Sequence, residues 1–196
     1  MPKPYTPNDK LSQKAAAEGY RARSVYKLQE LDEKYSLLSP AFSVLDLGAS
    51  PGSWLQYASK KIGPKGRAIG LDLNEIEPID KNVKTYVQDI TDIDAVDRIL
   101  DKEGISEVDL VLSDLAPSTS GIKDVDQWKS IELSQAVSKI ALRVLRPKGF
   151  CVIKVLRGGD FDKFITDLKK EWKDVKIVQV KASRDRSREI YLILSK

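Results

Sequence analysis

Histidine is absent from the 196 residues, and cysteine and methionine occur once each. Without histidine there is no Ser-His-Asp or Cys-His arrangement and no imidazole ligand for a metal. The lone cysteine, Cys151, cannot close an internal disulfide or complete a zinc cluster, and its apolar surroundings read as core. No metal site is therefore expected, and acid–base chemistry falls to Lys, Asp, Glu or Tyr. Long hydrophobic runs are missing too. No stretch approaches the length of a membrane span, and Met1-Pro2-Lys3-Pro4 opens no secretory apolar region. These absences predict a cytoplasmic protein with no membrane partner. Internal repeats and low-complexity tracts are also lacking.

What is present is the composition of a globular protein, 41% hydrophobic and 32% charged, in a chain long enough for a substantial core. A net charge of +4 and a pI near 9.0 permit nucleic acid as a partner without requiring it. The chain divides into a basic helical extension, residues 1–40, and an α/β domain, residues 41–196. Met1 to Asn8 is proline-rich and reads as extended. A helix is expected from Asp9 to Glu18, ending at Gly19. A second, capped by Ser24, carries Val25, Leu28, Leu31 and Tyr35 on one face. Arg21, Arg23, Lys27 and Lys34 decorate this extension, either as a nucleic-acid surface or as a solvated face.

The α/β domain opens on Val44-Leu45-Asp46-Leu47-Gly48-Ala49-Ser50-Pro51-Gly52-Ser53-Trp54. An apolar strand breaks into a glycine turn, and Ser53 is placed to cap the helix that follows. Strand, glycine turn and helix form the first half of a βαβ nucleotide-binding unit. The Gly-x-x-x-Gly spacing is neither the dinucleotide fingerprint nor a P-loop. A second strand ends in Asp72, about twenty residues beyond the turn, where a ribose-binding carboxylate belongs. Strands are also expected at Lys84–Ile90, Glu107–Asp114, Phe150–Leu156, Val175–Lys181 and Glu189–Leu194. Helices are expected near Asp92–Glu103, Val125–Leu145 and Phe161–Trp172. Alternation of this kind predicts a doubly wound, mostly parallel sheet of seven strands. The last two strands have no helix between them and should pair antiparallel. The arrangement resembles the Rossmann-like fold of class I methyltransferases that use S-adenosylmethionine.

Ligands of open α/β sheets bind outside the carboxyl ends of the parallel strands. That edge gathers Asp46 to Gly52, Asp72, Asp89, Asp114 and Lys154, and an antiparallel last strand brings Glu189 to the same place. Lys154, in Val152-Ile153-Lys154-Val155, requires a partner because an unpaired buried charge is costly. A structural ion pair with Asp114 or Glu189 would suffice. The loop Ala116-Pro117-Ser118-Thr119-Ser120-Gly121 has the size of a substrate loop.

Five ordered segments give a more specific likeness. They are Gly19-Tyr20-Arg21-Ala22-Arg23-Ser24-Val25-Tyr26-Lys27-Leu28, Asp46 through Trp54, Ser113-Asp114-Leu115-Ala116-Pro117, Val152 through Val155, and Ser187-Arg188-Glu189-Ile190-Tyr191. From about Lys14 onward the chain resembles the FtsJ-type ribose 2′-O-methyltransferases. The resemblance implies a catalytic Lys-Asp-Lys-Glu tetrad at Lys27, Asp114, Lys154 and Glu189. It also implies S-adenosylmethionine binding by Gly52, Trp54, Asp72, Asp89 and Asp114. Asp72 would accept from the cofactor ribose and Asp89 from the adenine amino group. Trp54 would pack beside the methionine end, or anchor the first turn of its helix, or both. Ser50 and Ser53 depart from the alanine and glycine common in the family. The implied substrate is RNA, a uridine 2′-hydroxyl of large-subunit rRNA within the ribosomal subunit, with no DNA and no obligatory oligomer. Lys154 would take the hydroxyl proton or, if charged, orient the hydroxyl or stabilise its alkoxide. Alternatives are a tRNA anticodon-loop methyltransferase of the same family, a non-catalytic ribosome-assembly factor, and a nicotinamide-dependent oxidoreductase using Asp72.

Overall fold

Short apolar strands alternate with amphipathic helices to build one seven-stranded sheet. The structure, a computed structural model, describes residues 10–117, 120–183 and 187–196. Two helices, α1 (Lys10–Ala17) and α2 (Val25–Tyr35), precede β1 (Ser43–Leu47). Then come α3 (Ser53–Ile62), β2 (Arg67–Asp72), β3 (Val83–Val87), α4 (Ile93–Lys102) and β4 (Val108–Ser113). The remainder is α5 (Lys123–Val144), β5 (Leu145–Leu156), α6 (Phe161–Glu171), β6 (Asp174–Val178) and β7 (Glu189–Ser195). The strand order is β3-β2-β1-β4-β5-β7-β6. The first five pair parallel, and β7 pairs antiparallel with both β5 and β6. This is the doubly wound, mostly parallel sheet that the alternation predicts. The strand order reverses between β1 and β4, which leaves a crevice at their carboxyl ends.

Strands buried on both faces carry apolar residues at successive positions. Leu45, Leu47, Val111 and Ile153 face a core completed by α4, α5 and α6. Val44, Leu110, Val152 and Tyr191 face the opposite core, built with α1, α2 and α3. The period of two therefore places Asp46 and Lys154 on the α2–α3 side, which is the side of the candidate site.

Two expected caps differ in the structure. Ser24 precedes α2 but makes no capping bond, and the N-cap of α3 is Gly52, at φ +101°. Ser53 is instead the first residue of α3, and the Ser24 and Ser53 hydroxyls lie 2.9 Å apart. The two serines thus join the loop before α2 to α3. The expected break at Pro147-Lys148-Gly149 also differs, because α5 passes directly into β5 at Leu145. Lys148 takes φ +66°, and the β4–β5 register shifts between Val108 and Leu110. An irregularity inside the strand replaces the loop. The proline-rich start, Ser118 and Thr119 of the substrate loop, and Arg184 and Arg186 lie outside the described residues.

Candidate active site

The four tetrad residues come together from α2, the end of β4, β5 and β7. Lys154, near the carboxyl end of β5, is 6% exposed. Its Nζ lies 3.1 Å from Asp114 Oδ1 and donates to the Asp114 carbonyl at 2.5 Å. Asp114 is the residue after β4, so its position follows from the β4–β5 register. Lys27, on α2, donates to Glu189 Oε2 at 2.8 Å and lies 4.0 Å from Asp114 Oδ1. The arrangement is two ion pairs joined through Asp114. Burial opposes the charge of Glu189, but the Lys27 ammonium, its hydrogen bond and the Lys154 charge outweigh it and hold the carboxyl below its ordinary value. Glu189 thus sits beside Lys27 rather than on Lys154.

Tyr191 belongs to this group and was not singled out from the sequence. Its hydroxyl donates to Asp114 Oδ1 at 2.6 Å, and it pairs with Lys154 across the β5–β7 ladder. Burial, with the Asp114 and Glu189 charges, pushes the phenol well above its ordinary value, so it stays a neutral donor. The signal was present in the sequence, since Glu189-Ile190-Tyr191 alternates and puts Tyr191 on the same face as Glu189.

Beside the tetrad the crevice opens into a cavity of about 760 Å³. Asp72, Asp89, Gln88 and Thr91 line it, with Gly48 and Leu115 at one end. Asp72 Oδ2 accepts from the Ser50 amide at 3.0 Å, and its Oδ1 accepts from the amide and side chain of Asn74. Asp72 therefore ties the glycine turn to the end of β2. Asp89 Oδ1 accepts from the amide and hydroxyl of Thr91, and these bonds hold the carboxyl below its ordinary value. A second recess, of about 30 Å³, is lined by Ser24, Asp46, Gly48, Trp54 and Asp114 among others. Gly48 lines both spaces. It takes φ +79°, and a Cβ there would fall 2.0 Å from Leu115 Cδ2. Only glycine fits under Leu115.

Gly52 and Trp54, both expected at the cofactor, also have contacts within the fold. A Cβ on Gly52 would meet Ile79, Arg21 and Ile76, and Gly52 lines neither space. Trp54 is 3% exposed, and its Nε1 donates to the Ser24 carbonyl at 2.8 Å. Its ring is tilted against Tyr191 at 6.1 Å, so it anchors α3 while one edge reaches the recess. Asp46 lies 1% exposed in the recess, with no partner for Oδ2. Burial, then the charges of Asp114 and Asp72, push its carboxyl well above the ordinary value.

The cations of the 21–23 segment are engaged within the fold. Arg21 donates to the carbonyls of Pro51, Glu77 and Pro78, at 3.0, 2.8 and 2.8 Å. Arg23 donates to the Ala182 carbonyl at 2.8 Å. Among the described residues there is no cluster of His, Cys, Asp and Glu able to hold a metal, and no helix long and apolar enough to cross a membrane.

The chain is similar to known proteins over nearly its whole length. Residues 20–196 match the family described as FtsJ-like methyltransferase. The Ribosomal RNA large subunit methyltransferase E of Desulfatibacillum aliphaticivorans is 43% identical over 185 residues, 94% of this chain and 88% of its own length. The protein of that name from Bdellovibrio bacteriovorus is 41% identical over 189 residues, 96% of each chain. A crystal structure from Plasmodium falciparum, described as a ribosomal RNA methyltransferase, matches with a TM-score of 0.79 at 30% identity, covering 90% of this chain and 97% of its own.

Proposed function

Because the chain belongs to the FtsJ-like methyltransferase family, we propose that it methylates a ribose 2′-hydroxyl of RNA, at a uridine of large-subunit rRNA, with S-adenosylmethionine as donor. Curated relatives named as large-subunit rRNA methyltransferases, about 40% identical over nearly the whole chain, support the substrate class. The observation that carries the reaction is the Lys154 ammonium, buried at the end of a central strand and held at two oxygens of Asp114.

The crevice fits the donor. Asp72 and Asp89 present carboxylates to a cavity of nucleoside size, suited to ribose hydroxyls and an amino group. Beyond Gly48, the recess at Asp46 and Asp114 leads toward the tetrad. Rotation of the Leu115 side chain off Gly48 would join the two spaces. The orphaned Asp46 Oδ2 suits a cationic or donor group. When bound, S-adenosylmethionine supplies an electrophilic methyl on a positively charged sulfur.

The protein supplies alignment and a place for the proton. The hydroxyl must lie in line with the methyl and sulfur, and positioning of that kind provides much of the rate. Asp114, fixed by Tyr191, holds Lys154 so that its Nζ meets the 2′-oxygen. As a neutral amine Lys154 would accept the hydroxyl proton, and as the ammonium it would instead stabilise the developing alkoxide. Lys27, held by Glu189, places a second positive charge nearby. Incubation with labelled S-adenosylmethionine and RNA, then alkaline digestion, tests the reading. Label should remain in an alkali-resistant dinucleotide, because cleavage needs the free 2′-hydroxyl. Label released on a base, or no transfer to RNA, would overturn it.

A further inference from the structure

Trp128 is the tryptophan that the fold leaves in water, at 53% exposed against 3% for Trp54 and 4% for Trp172. Ile122 and Val125, just before it, are exposed as well. Successive residues turn by about 100° on a helix. Val125, Trp128, Lys129 and Glu132 therefore share one side of α5, opposite the buried Ser130, Ser134, Val137 and Ala141. Lys129 and Glu132 line the cavity, so Trp128 shares its side of the helix with two lining residues.

The neighbouring turn adds positive charge. A Cβ on Gly158 would fall 2.5 Å from Gln127 Cγ, so the start of α5 packs on the turn after β5. That turn carries the exposed Arg157, whose amide donates to the carbonyl of the exposed Arg188 at 2.9 Å. Arg188 immediately precedes Glu189 of the tetrad. Lys129, Arg157 and Arg188 stand on this rim among Asp124, Glu132 and Asp160. A broad aromatic face beside cations, at the mouth of a cleft, suits an unpaired base and its phosphates. A duplex keeps its base faces stacked and offers none to the indole.

We propose that Trp128 is a stacking platform for an unpaired base that flanks the nucleotide entering the cleft, with Arg157 and Arg188 against the adjoining phosphates. The inference rests on RNA being the substrate. It adds that the RNA is locally single-stranded at the cleft.

Titrating full-length protein with oligouridylate, while following tryptophan fluorescence, tests it. Trp54 and Trp172 are buried, so acrylamide quenching reads mainly Trp128. RNA should quench this emission and protect it from acrylamide. Trp128→Ala should weaken oligouridylate about five- to a hundredfold, the range for loss of one stacked base. Trp128→Phe should recover much of that, and the affinity for S-adenosylmethionine should not move. Alanine is a strong helix former and the site is exposed, so the melting temperature should hold. Unchanged RNA affinity in Trp128→Ala overturns the proposal. If sedimentation then shows a dimer becoming a monomer, the patch belongs to a second copy of the chain. Oligouridylate binding with no transfer of label to ribosomal RNA would remove the proposed reaction and leave the platform standing. Methyl transfer with indifferent Trp128 variants would do the reverse.

Discussion

At Lys154, a structural ion pair and a group that handles a proton lead to different outcomes. Asp114 keeps the Tyr191 hydroxyl, with Lys27 at 4.0 Å, when Lys154 is removed. Lys154→Ala should therefore remain folded, losing less than the roughly 3–5 kcal/mol typical of a broken buried pair. Its single-turnover rate should fall about a hundred- to ten-thousandfold, with near-normal binding of S-adenosylmethionine. Lys154→Arg should not restore it, since guanidinium keeps its proton and has another shape. Normal turnover by a folded Lys154→Ala protein would take this lysine out of the reaction. Glu189 forms its salt bridge with Lys27, so Glu189→Gln and Lys27→Met should lower the rate similarly. Their double variant should cost little more than either single one. Additive losses in a kinetic cycle would show independent roles. Asp46 gives a pH signature. Its folded pKa is raised, so above the unfolded carboxyl value the unfolded chain holds fewer protons and stability falls as pH rises. Asp46→Asn removes that slope. Its gain in melting temperature over wild type should be larger at pH 8 than at pH 5, and an equal gain at both would refute the buried neutral acid. Asp114, Lys154 and Glu189 were legible because they lie at strand ends, whereas Lys27, on α2, came only through the family likeness. The fold contacts of Trp54 and Gly52 were not legible, because they are made with residues distant in sequence, Ser24 for Trp54 and Ile76 and Ile79 for Gly52.

Among elements, the order of strands and helices could be read from periodicity, and the antiparallel final pair from the missing helix between the last two strands. Caps could not. Ser24 and Ser53 have capping chemistry, but each finds the other across the fold, and that contact outweighs the local bond. The run after α5 has the signature of a loop, yet pairing of Leu145 with Val108 draws it into the sheet. The segment joining α1 and α2 shows the same contest. Its arginines read as a nucleic-acid surface, but Arg21 braces the glycine turn and the 77–78 stretch through three carbonyls. Arg21→Lys cannot span all three, and should lower stability by about 1–2 kcal/mol in urea unfolding. A loss of RNA affinity with unchanged stability would return Arg21 to the surface role.

Over the whole molecule, a charge of +4 is modest, so the placement of cations matters more than their number. RNA affinity should fall with salt. Replacing Arg184 and Arg186 together with Ala should flatten that dependence, whereas Arg23→Gln, at a position bonded to the Ala182 carbonyl, should leave it steep. The reverse pattern in salt titrations would move the RNA path to the α2 side. The place of β7 has a consequence for how the molecule comes into being. Although last in sequence, β7 lies inside the sheet, between β5 and β6. Until it inserts, β5 keeps an open edge and β6 has no neighbour, while Lys27 lacks Glu189 and Asp114 lacks Tyr191. Contacts of such long sequence separation form late. A nascent chain halted before β7 therefore carries an unguarded sheet edge and an unassembled tetrad, and the step that shields it from aggregation also brings the four side chains together.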